Sequence, residues 1–203
     1  MARSADERPW DVVLVGGASG VGKTRLGREL AGLFGMSLAQ VDDFQTLLER
    51  MTTPEQLPAL HFWSTHPDRG SLSAHDIHTQ GLEILEVMRP GLEAVIDDHL
   101  EDQAPVLLEG DFIHPALLSP EQLAARGWAG RVGGLFVIEP EAEQIVRNFL
   151  AREPNSGRQD LRADVGAVRS RWLEAECERI GVRTITARPW DTLRSRALQA
   201  LVP

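Results

Sequence analysis

The sequence has little cysteine and no long apolar run, and both absences limit what the chain can be. Cys177 is its one cysteine, which excludes a disulfide framework and a metal site made of several thiolates. Because it lies in a helical pattern, we expect it to be a small buried apolar residue. No apolar stretch approaches the roughly 18 residues of a membrane helix, and the opening MARSADERPW lacks the apolar core of a signal peptide. These features predict a cytoplasmic protein without a membrane partner.

Basic residues are also in deficit. Lysine and arginine together number 21 against 30 aspartates and glutamates, which gives a formal net charge of −9. Binding to nucleic acid depends on cations that displace counterions from phosphates, so the charge argues against a nucleic-acid partner. The 203 residues, with 42% hydrophobic and 25% charged residues, predict one globular domain over 1–203 with a substantial core. A monomer and a homodimer both fit the sequence.

Lysine is the scarcest basic residue, and its position is informative. Lys23 is the only lysine, whereas the other 20 basic residues are arginines. It follows a short apolar run at 12–15 and lies in GASGVGKT, which fits the pattern G-x-x-x-x-G-K-[ST] of a phosphate-binding loop between a strand and a helix. This exception to the use of arginine indicates a site that needs a compact ammonium. The predicted nucleotide-binding residues of the loop are Gly17, Ala18, Ser19, Gly20, Val21, Gly22, Lys23 and Thr24.

The residue types of this loop suit a triphosphate. Glycines let successive backbone N–H groups turn inward around phosphate oxygens, and the next helix directs its positive N-terminus to the same place. Lys23 can reach the β- and γ-phosphates, where it would act in catalysis, and the Thr24 hydroxyl can bind Mg²⁺. A glycine-rich turn with an incidental lysine is the structural alternative. A GTPase is excluded, because its guanine motif Asn-Lys-x-Asp needs a second lysine.

Strand and helix patterns alternate along the chain. Buried strands are predicted at 12–15, 37–41, 106–110, 132–138 and 182–187, with helices between them. A long helical pattern follows Ser73, and Pro90 is expected to kink it or break it near Arg89. Strands separated by helices pair in parallel and are covered on both faces. The prediction is an α/β fold of the three-layer P-loop NTPase type, with a five-stranded parallel sheet.

Acidic residues follow two of the predicted strands. In an open α/β sheet, ligands bind at the carboxyl ends of the strands. Asp42 and Asp43 end the second strand, and Glu109 and Asp111 end the third. A carboxylate beside the γ-phosphate can orient an acceptor hydroxyl and take its proton, a role predicted for Asp42. The alternative is that the aspartate pair caps the next helix. Glu109 and Asp111 are alternative metal ligands for Mg²⁺.

These motifs resemble those of one family. GGASGVGKT followed by VDDF is similar to the phosphate loop and Asp-x-Phe element of P-loop small-molecule kinases with the nucleoside-monophosphate-kinase-like fold, such as uridine, pantothenate, chloramphenicol and zeta-toxin-like kinases. LLEGDFIHP resembles the strand and Glu-Gly of bacterial 2-phosphoglycerate-kinase-like proteins. In this resemblance Asp42 is the general base, Phe44 is the aromatic that follows it, and Glu109 matches the Glu-Gly position. It implies an enzyme that uses ATP and Mg²⁺ to phosphorylate a hydroxyl of a small molecule.

Such kinases close an arginine-bearing lid over the triphosphate, and a polar stretch of this chain lies in the matching place. Arg147, Arg152 and Arg158 are predicted to stabilise the transferring group or to bind the nucleotide. Solvated surface arginines are the alternative. The family also implies that Pro189 and Trp190, after the fifth strand, pack on adenine, although a contact with the core fits these residues equally well.

The acceptor site is the least defined part of the sequence. Residues 45–104 form the predicted helical acceptor segment, and 147–160 form the predicted lid. The segment offers few arginines, Arg50, Arg69 and Arg89, which favours a hydroxyl acceptor over a phosphate acceptor. The predicted substrate-binding residues are Asp42, Asp43, Phe44, His61, Trp63, Arg89, Glu109 and Asp111.

Two other activities fit the same motifs. One is a regulatory ATPase that hydrolyses ATP without a small-molecule acceptor. The other, within the kinases, is a toxin-like kinase for sugar nucleotides. Fast ATP hydrolysis that needs no acceptor would favour the ATPase.

Overall fold

A parallel sheet forms the centre of the structure, a computed structural model that describes residues 9–66 and 71–202. The strands are β1 (Val12–Gly17), β2 (Ser37–Gln40), β3 (Val106–Gly110), β4 (Val132–Ile138) and β5 (Thr184–Thr186). They form a five-stranded sheet in the order β2-β3-β1-β4-β5, and every pair is parallel. The sheet predicted from the sequence is confirmed.

Helices connect these strands. They are α1 (Lys23–Phe34), α2 (Val41–Met51), α3 (Pro58–Thr65), α4 (Ala74–Glu101), α5 (Pro120–Ala125), α6 (Ala142–Arg152), α7 (Asp160–Ile180) and α8 (Leu193–Leu201). A short 3₁₀ helix, Pro115–Leu118, precedes α5. The long helices α4 and α7 contact each other, and α6 contacts α7.

The two faces of β1 explain the layers of the fold. Successive side chains of a strand point to opposite faces of the sheet. Val12 and Leu14 pack with buried residues of α4 and α7, whereas Val13 and Val15 pack with buried residues of α1 and α8. All six residues of β1 are buried, which is typical of a central parallel strand with helices on both sides. The predicted three-layer α/β arrangement is confirmed.

Several helix ends follow signals in the sequence. α1 ends at Gly35 and α7 ends at Gly181, both in the left-handed conformation that glycine adopts most easily. Ser119 caps α5, because its hydroxyl accepts from the backbone N–H of Gln122. Local residue types therefore explain where these helices begin and end.

The end of the second strand differs from the sequence prediction. β2 stops at Gln40 and α2 begins directly at Val41. Asp42 and Asp43 therefore lie in the first turn of a helix rather than beyond a strand. Acidic side chains are stabilised there by the helix dipole.

The long helix α4 decides between the two alternatives for Pro90 only in part. The helix continues through Pro90 without interruption, so a break near Arg89 is wrong, whereas the kink stays a prediction. Met88 and Leu92, on either side of the proline, are buried in the core. Tertiary packing of this apolar face outweighs the loss of one helical hydrogen bond.

The one cysteine lies in the core of the protein. Cys177 is fully buried, and this burial raises the pKa of its thiol to about 12. Its predicted role as a small buried apolar residue is confirmed.

Within residues 9–66 and 71–202, no helix combines the length and apolar character that crossing a bilayer requires.

Candidate active site

The phosphate loop between β1 and α1 adopts backbone conformations that glycine tolerates best. Gly17, Gly20 and Gly22 have φ values of 148°, 82° and 93°. A Cβ atom at Gly20 would lie 2.7 Å from the ring of Phe149, and one at Gly22 would lie 2.6 Å from the ring of Trp190. The glycines therefore permit both the curl of the loop and its close packing against other elements.

The N-terminus of α1 is open to a ligand. Its capping residue, Gly22, has no side chain to accept from the first backbone N–H groups, and the first turn carries no acid. Free N–H groups and the positive end of the helix dipole together attract phosphate. The phosphate cradle predicted from the sequence would use these groups, and it stays a prediction.

The side chain of Lys23 folds back over the loop. It is only 6% exposed, and its Nζ donates to the Ala18 carbonyl at 2.8 Å and to Asp111 Oδ1 at 2.6 Å. Strand register explains the second contact. Gly110 of β3 pairs with Gly16 of β1, so the residue that follows β3 lies beside the phosphate loop. The ammonium thus bridges the loop and the neighbouring strand.

Three carboxylates gather at this edge of the sheet. Glu109 lies near the end of β3, which is flanked by β1 and β2, and its residue is only 3% exposed. Together with Asp42 and Asp111 it lines a cleft of about 680 Å³ in front of the phosphate loop. Lys23 and Thr24 line the same cleft. The structure therefore brings together the residues predicted for nucleotide, metal and proton transfer.

Asp42 lies in the first turn of α2 but does not cap this helix. The cap position of α2 is Gln40, whose side chain makes no capping hydrogen bond. The Asp42 carboxylate is open to the water of the cleft, yet neighbouring protein atoms crowd it. This desolvation and the like charge of Asp111 raise the pKa of Asp42 to about 6, although Lys23 acts in the opposite direction. Such a carboxylate is largely ionised at neutral pH and still accepts a proton readily.

The oxygen atoms around the loop fit Mg²⁺. Thr24 offers a hydroxyl, and Glu109 and Asp111 offer carboxylates, the hard ligands that this ion prefers. Within the described residues, no group of three histidine, cysteine or acidic side chains is arranged to hold an ion alone. A magnesium ion here would complete its coordination with phosphate oxygens and water, as nucleotide-bound magnesium does. Thr24, Glu109 and Asp111 stay the predicted ligands.

Of the three predicted lid arginines, Arg152 reaches the cleft. It ends α6 and lines the space in front of the phosphate loop. Arg147 is exposed and donates to a glutamine of its own helix. Arg158 forms ion pairs with Glu143 and Asp160 at the surface. Arg147 and Arg158 therefore make their contacts outside the cleft, and their part in a lid stays a prediction.

Sequence reasoning missed Arg162 of α7. Its guanidinium donates to Ser19 Oγ at 3.0 Å and to the Glu153 carboxylate at 3.2 Å, and it lines the cleft. It also lies 4.4 Å from the ring centre of Phe149, which supports the phosphate loop. A signal was available, since Arg162 and Arg169 are separated by the seven-residue interval that puts side chains on one helix face.

Asn148 of α6 is a second residue that sequence reasoning missed. Its Nδ2 donates to the Gly20 carbonyl at 2.8 Å. Together with the bond from Arg162 to Ser19, this contact ties the phosphate loop to α6 and α7. A single asparagine in a helical pattern carries no sequence signal for such a bond.

The structure separates several predicted substrate-binding residues. Trp63 lines a small cavity beside the phosphate loop. His61 instead faces Thr52, with 3.1 Å between Nε2 and Oγ1. Asp43 is exposed on α2, and Phe44 packs against the core. Of these residues, Trp63 is the one that lies next to the loop.

Arg89 and Trp190 make structural contacts. Arg89 pairs with two glutamates of its own helix, α4. Trp190 is half-buried with its ring against Gly22, and the neighbouring Pro189 is exposed. Their contacts with an acceptor and with adenine stay predictions. Arg69, which the sequence placed in the acceptor segment, lies outside the described residues.

Comparison with known proteins shows a distant relation to kinases. No family model matches the chain. A 2-phosphoglycerate kinase from Methanococcus vannielii is 32% identical over 116 residues, which cover 53% of this chain and 37% of the relative. Another from Pyrococcus horikoshii is 26% identical over 114 residues, which cover 54% of this chain and 38% of the relative. The chain therefore spans little more than a third of the length of these curated relatives.

Solved structures share the fold over nearly the whole chain. A gluconokinase from Sinorhizobium meliloti matches with a TM-score of 0.52 and 17% identity, over 96% of this chain and 93% of that one. A shikimate kinase from Acinetobacter baumannii in complex with shikimate matches with a TM-score of 0.50 and 14% identity, over 95% and 91%. These likenesses show that the chain has the P-loop small-molecule kinase fold. With the distant similarity to 2-phosphoglycerate kinases, they confirm the resemblance predicted from the motifs.

Proposed function

We propose that the protein transfers the γ-phosphoryl group of ATP to a hydroxyl group of a small molecule. The observation that carries this proposal is the convergence of Lys23, Asp111 and Asp42 on one cleft in front of the phosphate loop. Phosphoryl transfer to an alcohol needs a cation for the phosphates and a base for the acceptor. This cleft offers both.

Asp42 is the general base of the proposed reaction. As the acceptor O–H bond breaks, its proton passes to the Asp42 carboxylate and the acceptor oxygen bonds to the γ-phosphorus. The bond from that phosphorus to the bridging oxygen breaks at the same stage and releases ADP. The pKa of about 6 supports this role, because a base works best with a pKa near the working pH.

The phosphate loop and Lys23 would hold the triphosphate. Thr24, with Glu109 or Asp111, would hold Mg²⁺, which when bound neutralises part of the phosphate charge. The support for this assignment is that these oxygen donors and the lysine line one cleft.

Arginines would stabilise the transferring group. Arg152 and Arg162 line the cleft, and guanidinium groups suit the charge on phosphoryl oxygens. Arg147 and Arg158 lie nearby in sequence and would join them if the 147–160 segment closed over the nucleotide.

The names of the relatives support a small hydroxylated acceptor. They include a 2-phosphoglycerate kinase, a gluconokinase and a shikimate kinase. The compounds in these names are small and carry hydroxyl groups. For this chain, Trp63 and Asp111 next to the phosphate loop are the residues we assign to acceptor binding.

Transfer from γ-labelled ATP to pooled hydroxylated metabolites tests the proposal. We expect slow turnover of ATP alone and a clear rise, with labelled product, when the pool contains the acceptor. The Lys23→Met variant should lose nucleotide affinity, whereas Asp42→Asn should bind ATP and lose the rise. Fast phosphate release that no metabolite alters would overturn the proposal in favour of a regulatory ATPase.

A further inference from the structure

A small cavity lies beside the phosphate loop, between α4 and α7. Its volume is about 110 Å³, and it shares Ser19, Asp111 and Arg162 with the larger nucleotide cleft. Trp63 and Phe112 give it aromatic walls. Because the two spaces share these residues, a molecule in the cavity would touch the region in front of the phosphate loop.

Arg169 of α7 gives this cavity its positive charge. The residue is 7% exposed and lines the cavity. Its NH1 group donates to the Asp111 carbonyl at 3.2 Å, and its guanidinium carbon lies 5.7 Å from the ring centre of Phe112. Burial lowers the pKa of Arg169 to about 10, so the side chain is still charged at neutral pH.

No carboxylate in the described part of the chain forms an ion pair with Arg169. The acid whose charge acts on it is Asp111, which Lys23 holds at 2.6 Å. His78 is also buried near Arg169, and burial and the arginine charge lower the pKa of His78 to about 4. A neutral imidazole provides no counter-ion. A buried cation without a counter-ion is unfavourable, which indicates that another anion completes this site.

Two helical glycines make room for this arrangement. A Cβ atom at Gly81 of α4 would lie 2.2 Å from Arg169 NH2, and one at Gly166 of α7 would lie 3.3 Å from the Ser19 carbonyl. Glycine is unfavourable inside a helix. Both glycines therefore allow the guanidinium and the phosphate loop to approach at a cost in helix stability, which is typical of a binding site.

We propose that this cavity binds an anionic group of the acceptor, a carboxylate or a phosphate, with Arg169 as its counter-ion and Arg162 at its entrance. The assignment rests on the proposed phosphotransferase function and narrows the acceptor to a hydroxylated anion. A water molecule occupies about 30 Å³ of liquid, so the cavity accommodates the polar end of a small molecule. The rest of the acceptor extends past Asp111 into the cleft that Asp42 lines.

Calorimetric binding to the full chain, saturated with a non-hydrolysable ATP analogue and Mg²⁺, tests this assignment. The probes form matched sets, with glycerate and glycerol 3-phosphate compared with glycerol, and gluconate compared with glucose. We expect at least one acid to bind about tenfold or more tightly than its uncharged counterpart, and the first set distinguishes carboxylate from phosphate. Equal binding within every set, or no binding by any acid, overturns the assignment.

Variants separate the charge of Arg169 from its packing. Arg169→Met should lose the preference for acids, keep its affinity for the ATP analogue and melt no lower than the wild type, because an uncompensated buried charge has been removed. Arg179→Met is the matched control, since Arg179 lies on the same helix and pairs with Glu176 at the surface. A melting temperature that falls while the preference for acids persists would make Arg169 purely structural.

A variant that fails to fold does not end the test. Arg162 is exposed, so Arg162→Gln is expected to fold and to bind acids several-fold more weakly, with a smaller loss of glycerol binding. Unaltered acid binding in that variant contradicts the assignment. If the ATP analogue does not bind the wild type, the phosphotransferase proposal fails and the assignment falls with it. If the analogue binds and acids are not preferred, only the assignment fails.

Discussion

The Nζ atom of Lys23 lies 2.6 Å from Oδ1 of Asp111, so a carboxylate at the end of β3 holds the ammonium of the phosphate loop. The side chains are 6% and 27% exposed, which limits screening of the pair by solvent. A triphosphate that binds this loop must therefore compete with Asp111 for the lysine. We therefore expect nucleotide affinity to depend on this exchange.

Asp111→Asn is expected to tighten ATP binding in the absence of Mg²⁺, by about three- to tenfold. The substitution removes a negative charge that competes for Lys23 and repels phosphate. Calorimetry in the presence of a chelator measures the effect. Asp43→Asn is the control, because Asp43 is exposed on α2 and its removal changes the net charge equally. Weaker binding by Asp111→Asn would mean that Asp111 orients the lysine for phosphate.

Asp42→Asn should separate chemistry from binding. We expect kcat to fall by about 10²- to 10⁴-fold, the usual contribution of a general base, with nucleotide affinity little changed. In the wild type, kcat should rise as the pH passes about 6, because the base must be ionised. The variant should lose that limb of the profile. Loss of ATP binding instead would assign Asp42 a structural part in the cleft.

Asp42→Asn should lower activity but raise the stability of the folded protein. The ordinary pKa of Asp42 is 3.8 and its folded value is about 6. Between these values the folded protein binds more protons than the unfolded chain, so the stability of the wild type declines as the pH rises through this window. We expect the melting temperature of nucleotide-free Asp42→Asn to exceed that of the wild type at pH 7. The difference should shrink as the pH falls to about 4, and a constant difference would contradict the link to ionisation.

The parts of the fold that follow local patterns were predictable. The apolar run at β1, the glycines and lysine of the loop, and the carboxylates at the end of β3 each lie within one short stretch of sequence, so periodicity and motif suffice to find them. The boundary between β2 and α2 was missed because a β-branched residue, Val41, extends the strand pattern by one position. In the structure that residue is the first of a helix whose N-terminal turn two aspartates stabilise.

Contacts that depend on the path of the whole chain were not predictable. Ser19 and Arg162 are 143 residues apart in sequence, and Lys23 and Asp111 are 88 apart. A single sequence gives no signal for such pairs. The sequence also does not distinguish exposed arginines from a buried one such as Arg169, because burial depends on which helix packs against that residue. The cavity that we propose for the acceptor forms where residues of α4 and α7 come together.

The predicted lid arginines can be ranked by whether they line the cleft. Arg152→Gln is expected to lower kcat about tenfold or more, as loss of a donor to the transferring group does. Arg147→Gln and Arg158→Gln should have smaller effects, because both side chains make their contacts outside the cleft. Steady-state kinetics with the identified acceptor measure the series, and Arg171→Gln serves as a surface control on α7. A larger loss in Arg158→Gln than in Arg152→Gln would show that the segment rearranges before transfer.

Gly22 and Gly32 both belong to the region of α1, yet alanine should act on them in opposite directions. Gly22 has a φ of 93°, and a Cβ there would lie 2.6 Å from the Trp190 ring. We expect Gly22→Ala to lose about 1–3 kcal/mol of unfolding free energy to backbone strain and to bind nucleotide weakly. Gly32 is exposed, and a Cβ there meets nothing within 4 Å. Gly32→Ala should gain about 0.5–1 kcal/mol from helix propensity, with nucleotide affinity unchanged. Chemical denaturation measures both variants, and a gain in both would show that the loop tolerates a side chain at Gly22.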